Sequence, residues 1–158
     1  MIRPARSSDA RDICDLWNVM IRDTLSTFTT IEKTERGIAA LIAERKDGFF
    51  VAEAEARFAG FVTFGRFRPG PGYAHSVELS IMLSEAAQGR GIGRALLNKA
   101  EGAARQAGHH VMVAAISGQN APAQAFHASM GYAETGRLPE VGYKHGQWLD
   151  LVLMQKIL

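Results

Sequence analysis

Cysteine is nearly absent from this sequence. A single one, Cys14, stands among 158 residues, so no disulfide can close within the chain. One unpaired thiol fits a reducing compartment. Cys14 lies beside Ile13 and Leu16 in a helix-like stretch, which places it in a core rather than in a nucleophile's setting. An excess of one charge is missing too. The formal net charge is +2, too small to make nucleic acid or a membrane the expected partner. No apolar run is long enough to span a bilayer, and Met1-Ile2-Arg3-Pro4-Ala5-Arg6 has no apolar segment of signal-peptide length. The cytoplasm is the expected location. Repeats, low-complexity tracts and dividing linkers are absent as well. With 47% hydrophobic and 22% charged residues, the composition is that of an ordinary globular protein. One domain over residues 1–158 is expected, large enough for a real core.

What the chain does have is Gln88-Gly89-Arg90-Gly91-Ile92-Gly93-Arg94-Ala95-Leu96-Leu97. Three glycines alternate with Arg, Ile and Arg, and an amphipathic helix starts at once. The strand-like run Val77-Glu78-Leu79-Ser80-Ile81-Met82-Leu83 comes just before. Strand, glycine loop and helix N-terminus together make an anion site, because glycine lets the backbone approach a ligand and the first helical N–H groups point at it. Two phosphate-binding patterns fail on spacing. A P-loop needs Lys then Ser or Thr after its last glycine, and Arg94-Ala95 stands there. A dinucleotide fingerprint counted from Gly91 needs Gly or Ala where Leu96 stands, and an acid about 20 residues on, where His109 to Val113 offer none. A pyrophosphate held by backbone N–H groups and flanking arginines remains, and coenzyme A fits it.

The order of elements is legible from periodicity and punctuation. Ile2 to Arg6 reads as an edge strand, Ser7-Ser8-Asp9 as helix caps, and Ile13, Leu16, Trp17, Met20 and Ile21 as one helical face. Thr24 to Thr30 reads as a loop. Thr34 and Glu35 open a second helix, which Gly48 ends. Phe49–Ala54 and Phe58–Phe64 form a hairpin, and Pro69-Gly70-Pro71-Gly72 a loop. After the glycine loop a helix runs from about Gly91 to Gln106 with Ile92, Leu96, Ala100, Ala103 and Ala107 on its expected buried stripe, and Gly108 as its C′ residue. Val111 to Ile116 is a strand. Pro122 opens another helix, which stops at Gly131. Two strands close the chain, Tyr132 to Leu138 and Trp148 to Lys156, with a polar connection between them. The order β-α-α-β-β-β-α-β-α-β-β describes a mixed sheet with helices on both faces, an α/β (α+β) architecture.

Gln88, Gly91 and Gly93 resemble the acyl-CoA loop of the GNAT acetyltransferases, Gln/Arg-x-x-Gly-x-Gly/Ala. Asn120, Ala123, Phe126, His127, Gly131 and Tyr132 resemble that family's second signature. Val141-Gly142, Lys144, Gly146, Trp148, Asp150 and Met154-Gln155 are similar to the C-terminus of its phosphinothricin and methionine sulfoximine N-acetyltransferase branch. The resemblance covers essentially the whole chain. It implies a mostly antiparallel mixed sheet of six to seven strands flanked by about four helices. It also implies acetyl-CoA as co-substrate, a small-molecule amine as acceptor and a homodimer.

The implied reaction needs a base for the ammonium, a donor for the carbonyl oxygen and a proton for the departing thiolate. Glu78 is the candidate base, since a carboxylate between Val77 and Leu79 can have a raised pKa; the alternative is that strand alternation points it to solvent. Backbone N–H groups from Ile81, Met82 and Leu83 are expected to hold the thioester and pantetheine, and Gln88, Gly89, Arg90, Gly91, Ile92, Gly93 and Arg94 the pyrophosphate. Asn120 caps a helix and, by the resemblance, also bonds pantetheine. His127 is either the thiolate's acid or a helix histidine that faces the cofactor without giving a proton. The resemblance makes Phe28 a wall of the acceptor pocket, Arg68 the partner of an amino acid carboxylate, and Pro71, Gly72 and Tyr73 its rim. Trp148 reads as a core or interface aromatic. His75, His109, His110 and His145 have no Cys, Asp or Glu at ligand spacing, so no metal is expected. The acceptors implied are methionine sulfoximine, methionine sulfone or phosphinothricin. The rivals are a protein N-terminus or another small amine, a CoA-binding sensor without catalysis, and, more distantly, a nucleotide-binding module.

Overall fold

The computed structural model describes residues 1–158. It contains the strands β1 (Ile2–Pro4), β2 (Phe49–Ala54), β3 (Arg57–Arg66), β4 (Ser76–Leu83), β5 (Val111–Ser117), β6 (Ala133–Lys144) and β7 (Gln147–Ile157). The helices are α1 (Ala10–Asp23), α2 (Glu35–Arg45), α3 (Ile92–Gln106) and α4 (Ala121–Ser129). The seven strands form one sheet in the order β1-β2-β3-β4-β5-β7-β6. Every neighbouring pair is antiparallel except β4 and β5. This is the expected order of elements, and no helix is long and apolar enough to cross a membrane.

Both faces of the sheet are covered, which explains why β2 is buried residue after residue instead of alternating. Phe50, Val62, Phe64, Val77 and Leu79 meet Leu96, Leu97, Ala100 and Ala104 of α3 on one face. Phe49, Val51 and Phe61 meet Ile13, Cys14, Ile38 and Ile42 of α1 and α2 on the other. Helix α2 begins where Thr34 accepts a hydrogen bond from Gly37 N at 3.0 Å. The α1–α2 connection is fixed by buried Asn18, which accepts from Lys33 N at 2.7 Å and donates to Lys33 O at 2.9 Å.

Two expectations need correction. The buried stripe of α3 is Gly93, Leu96, Leu97, Ala100, Glu101 and Ala104, while Ala103 is half-buried and Ala107 exposed. Counting alanines missed that Glu101 is held inside, accepting from Tyr132 Oη at 3.1 Å and Lys156 Nζ at 2.9 Å. The polar segment after Leu138 is no open connection either. Strands β6 and β7 continue to a two-residue turn at His145 and Gly146, both with positive φ, as hairpin turns require. A bulge between Leu138 and Gly142 absorbs Pro139, and Asp150 accepts the freed Glu140 N–H at 2.9 Å.

Replacing Asn18 with Ala removes the partner of Lys33 N and leaves Lys33 O with only the weak Cys14 thiol donor at 3.3 Å. We expect a loss of about 1–3 kcal/mol in urea unfolding. A loss well below that range would show that the α1–α2 connection is held by other contacts.

Candidate active site

The site starts from the one parallel pair. Pairing of β4 with β5 runs from Ser76↔Val111 to Leu79↔Ala114 and stops there. Strand β4 stays paired with β3 up to Leu83↔Gly60, and β5 with β7 up to Ser117↔Leu151. The two strands therefore part, and the sheet splits. Backbone groups alternate sides along a strand. Ser76 O accepts from Phe67 N and Ser84 N donates to Ala59 O, both towards β3. The register between them is unbroken, so Ile81 and Leu83 turn their N–H and C=O groups into the gap, with no strand opposite. By the same alternation Ala115 faces the gap from β5, because Gly118 N donates the other way, to Asp150 O at 2.8 Å.

A cavity of about 800 Å³ fills this gap. On one side lie Ile81, Leu83, Gln88, Gly89, Gly93, Asn120, Phe126 and His127. On the other lie Trp17, Met20, Phe28, Thr29, Lys33, Ser80 and Met82. Thus Phe28, Ile81, Met82, Leu83, Gln88, Gly89, Gly93, Asn120 and His127 share one cavity, having been named from distant parts of the sequence. Gly89 and Gly91 have φ of 71° and 78°, a left-handed backbone that favours glycine. Gly91 is the N-cap of α3, and the first amide of the helix with a helical partner is Ala95, which donates to Gly91 O at 3.1 Å. The N–H groups of Ile92, Gly93 and Arg94 are left for a ligand, where the helix dipole favours an anion. Arg90 is ion-paired with exposed Glu55 at 2.9 Å and Arg94 is exposed, so both can turn to a phosphate at little cost.

Asn120 does two things. Its Oδ1 caps α4 by accepting from Ala123 N at 3.2 Å, and its Nδ2 donates to Ser26 Oγ at 3.2 Å. Buried His127 bonds the Ala123 carbonyl through Nδ1 at 2.8 Å, and its Nε2 is buried without a partner. A carbonyl only accepts, so the ring proton sits on Nδ1 and Nε2 is a bare acceptor. Burial pushes the His127 pKa below its ordinary value. The neutral ring that results has no proton on Nε2 to give, so the geometry favours the non-donating alternative for His127.

Glu78 lies outside the cavity lining. It sits two residues before Ser80 on the same face of β4, roughly 7 Å down the strand. Its cross-strand neighbour is Gly65, over which the Arg45 guanidinium packs. Burial raises the Glu78 pKa and Arg45 opposes that rise; no hydrogen bond contributes. A half-buried carboxylate with free lone pairs is a competent proton acceptor through a water. Arg68, Pro71, Gly72 and Tyr73 are exposed and also outside the lining, with the Arg68 guanidinium 5.6 Å over the Tyr73 ring. Trp148 is 65% exposed, so it belongs to no core of this chain; it stacks on exposed Tyr143 at 4.7 Å.

Trp17, Met20, Lys33 and Leu151 are among the lining residues to which the sequence assigned no role at a site. Trp17 and Met20 read from the sequence as part of one helical face, and only tertiary packing brings them to the cavity. Lys33 is the one formally charged side chain in the lining, its Nζ 5.0 Å over the Trp17 ring.

Below about pH 6.5 the unfolded chain binds a proton at His127 that the folded chain does not take until lower pH. The stability that comes from keeping this ring neutral is therefore complete above about 6.5 and shrinks as pH falls towards the depressed folded value. His127→Phe should flatten that part of the pH dependence in urea titrations. A proton on Nδ1 and a bare Nε2 should appear in long-range ¹H–¹⁵N spectra at pH 7; a doubly protonated ring would refute the assignment.

The model of the acetyltransferase (GNAT) family matches residues 15–132. The L-methionine sulfoximine/L-methionine sulfone acetyltransferase of Salmonella typhimurium is 36% identical over 98% of this chain and 92% of its own length. The crystal structure of the ribosomal-protein-alanine N-acetyltransferase from Brucella melitensis superposes with a TM-score of 0.95 at 38% identity, covering 100% of this chain and 99% of that one. The structure of yncA from Salmonella typhimurium, with its cofactor acetyl-CoA, superposes with a TM-score of 0.95 at 34% identity, covering 100% of this chain and 93% of that one.

Proposed function

This chain belongs to the GNAT acetyltransferase family, and we propose that it transfers acetyl from acetyl-CoA to the α-amine of a small amino acid of the methionine sulfoximine, methionine sulfone or phosphinothricin type. The splitting of β4 from β5 is the observation that carries the proposal. It leaves backbone amides along one edge of a cavity that runs from a helix N-terminus to a chamber walled by side chains. An extended chain with amide groups, ending in a pyrophosphate, suits the first part. When bound, acetyl-CoA supplies an activated thioester carbonyl.

The protein's own groups then divide the work. Ile81 and Leu83 N–H groups face the gap and are placed to hold the pantetheine and the acyl oxygen. The N–H groups of Ile92, Gly93 and Arg94, with Arg90 and Arg94 above them, take the pyrophosphate. Asn120 keeps its cap and reorients its amide from Ser26 to the ligand. His127, with its proton on Nδ1 and its Nε2 buried, moves no proton. Glu78 takes the ammonium proton through a water; burial raises its pKa and Arg45 opposes that rise. No group of three or more His, Cys, Asp or Glu side chains is placed to hold a metal.

Three things support the acceptor. The pattern from Val141 to Gln155 resembles the sulfoximine and phosphinothricin branch. The Salmonella relative carries that substrate in its name. Trp17, Met20 and Phe28 offer a narrow apolar wall for a short side chain, and Lys33 a single cation suited to a carboxylate. A protein N-terminus is the second reading, favoured by the Brucella structure. We also read the exposed Val141, Tyr143 and Trp148 as the surface where two copies meet, which light scattering checks as a mass of one chain or two.

A panel of sulfoximine-type amino acids, other small amines and N-terminal peptides, followed by free thiol release, separates these acceptors. Turnover is expected with the first group, and none there would remove the narrow proposal. Glu78→Gln should lower kcat by about 10²–10⁴-fold while acetyl-CoA still raises the melting temperature. In the native protein kcat/KM should fall as pH drops through the raised Glu78 pKa. Unchanged turnover in the variant would mean that the base is another group.

A further inference from the structure

Gly142 and Lys144 belong to the C-terminal pattern, and the chemistry above uses neither. They stand two residues apart on one face of β6. Lys144 is 1% exposed. An ammonium withdrawn from water is costly, and no carboxylate compensates this one. Burial pushes its pKa down. Its compensation is three oxygens: Thr24 O at 2.7 Å, Thr27 O at 2.7 Å and Thr27 Oγ1 at 3.2 Å. An ammonium has three N–H donors, so each one is used.

All three oxygens belong to one segment, the irregular stretch after α1. The same stretch touches β6 a second time. The Phe28 ring lies against Gly142 so closely that a Cβ there would sit 2.5 Å from Phe28 Cδ2 and 2.7 Å from Cε2. It then contributes Ser26, Thr27, Phe28 and Thr29 to the cavity, and Ser26 also receives the Asn120 bond. A stretch without regular structure has no ladder to hold it. Here the two grips on β6 supply what a ladder would.

We propose that Lys144 is a positioning residue for the acceptor: it pins the backbone of Thr24 and Thr27 so that Phe28, seated on Gly142, closes the acceptor side of the cavity. The glycine and the lysine are thus two halves of one clasp. The proposal rests on taking the Phe28 side of the cavity as the acceptor side. It makes the C-terminal hairpin, far from the CoA loop in sequence, a determinant of which amine is held.

Lys144→Met keeps the buried stem and removes the three donors. Hydrogen exchange should quicken in residues 24–30 and stay unchanged in β4. With an amine that the acceptor panel shows to react, the acceptor KM should rise by about tenfold or more while the acetyl-CoA KM stays within about twofold. Gly142→Ala pushes the Phe28 ring away without touching the ammonium and should give the same split; it replaces the lysine variant if that one does not fold. Unchanged exchange in 24–30 would remove the clasp. Faster exchange with an unchanged acceptor KM, or with both KM values rising together, would remove its positioning role. Failure of every amine to react would overturn the acceptor assignment instead, and the exchange result would still decide the clasp.

Discussion

Everything at the site depends on two parallel strands that stop pairing. A parallel pair inside a sheet normally satisfies every backbone group on both sides. Here the ladder between β4 and β5 ends at Leu79↔Ala114, although both strands continue. Buried N–H and C=O groups left without a partner cost free energy, so the gap needs either water or a ligand with amides of its own. The rest of the fold tolerates this because each strand remains bonded on its far side, β4 to β3 and β5 to β7. Helix α3 packs across β2, β3 and β4 and fixes the end of the gap where Gly89 and Gly91 stand. Without that docking the glycine loop would be a turn with no site attached.

How much of this the sequence disclosed follows the range of the interaction. The glycine loop, the cap at Asn120, the Thr34 cap and the order of elements are written within a few residues, and each is where it was expected. Interactions between distant segments were legible only through resemblance, and then incompletely. Gly142 read as part of a polar connection between two strands, yet it lies within β6 and admits the Phe28 ring. Glu101 had no place on the expected buried stripe of α3, because no local pattern can show that Tyr132 and Lys156 will meet it. For His127 the residue type left both an acid and a non-donating ring open. The assignment of its proton depends on the Ala123 carbonyl one helical turn back and on burial, and the second of these no spacing reveals. Arg68 has the chemistry for a carboxylate, but the fold leaves it over Tyr73 on the surface while Lys33 reaches the cavity.

The two halves of the cavity are made of different materials. The side proposed for CoA presents mainly backbone: amides of β4 facing the gap and amides at the start of α3. Backbone geometry is fixed by the sheet and by two left-handed glycines, and most side-chain substitutions leave it unaltered. The side proposed for the acceptor presents mainly side chains, Trp17, Met20, Phe28 and Lys33, on a helix and on a stretch held by Lys144 and Asn18. Side chains can change one at a time without disturbing the ladder. A fold built this way can keep one donor and exchange acceptors, because the groups that select the amine do not hold the sheet open.

That division also explains the unusual cost the fold accepts at Lys144. A salt bridge would have compensated the ammonium more simply, but a carboxylate there would itself need placing on the α1–α2 connection, next to a cavity proposed to admit a carboxylate-bearing amine. Like charges close together in a site of low dielectric repel strongly. Peptide carbonyls carry no net charge, so they satisfy the ammonium without adding a negative charge to the acceptor wall. The result leaves the acceptor side with net positive character, from Lys33 at the surface of the cavity and Lys144 behind it. Glu78 keeps its distance from that side, one step down β4 beside Arg45. In the proposed reaction Glu78 can then draw a proton from the amine while the cations face whatever negative charge the acceptor carries.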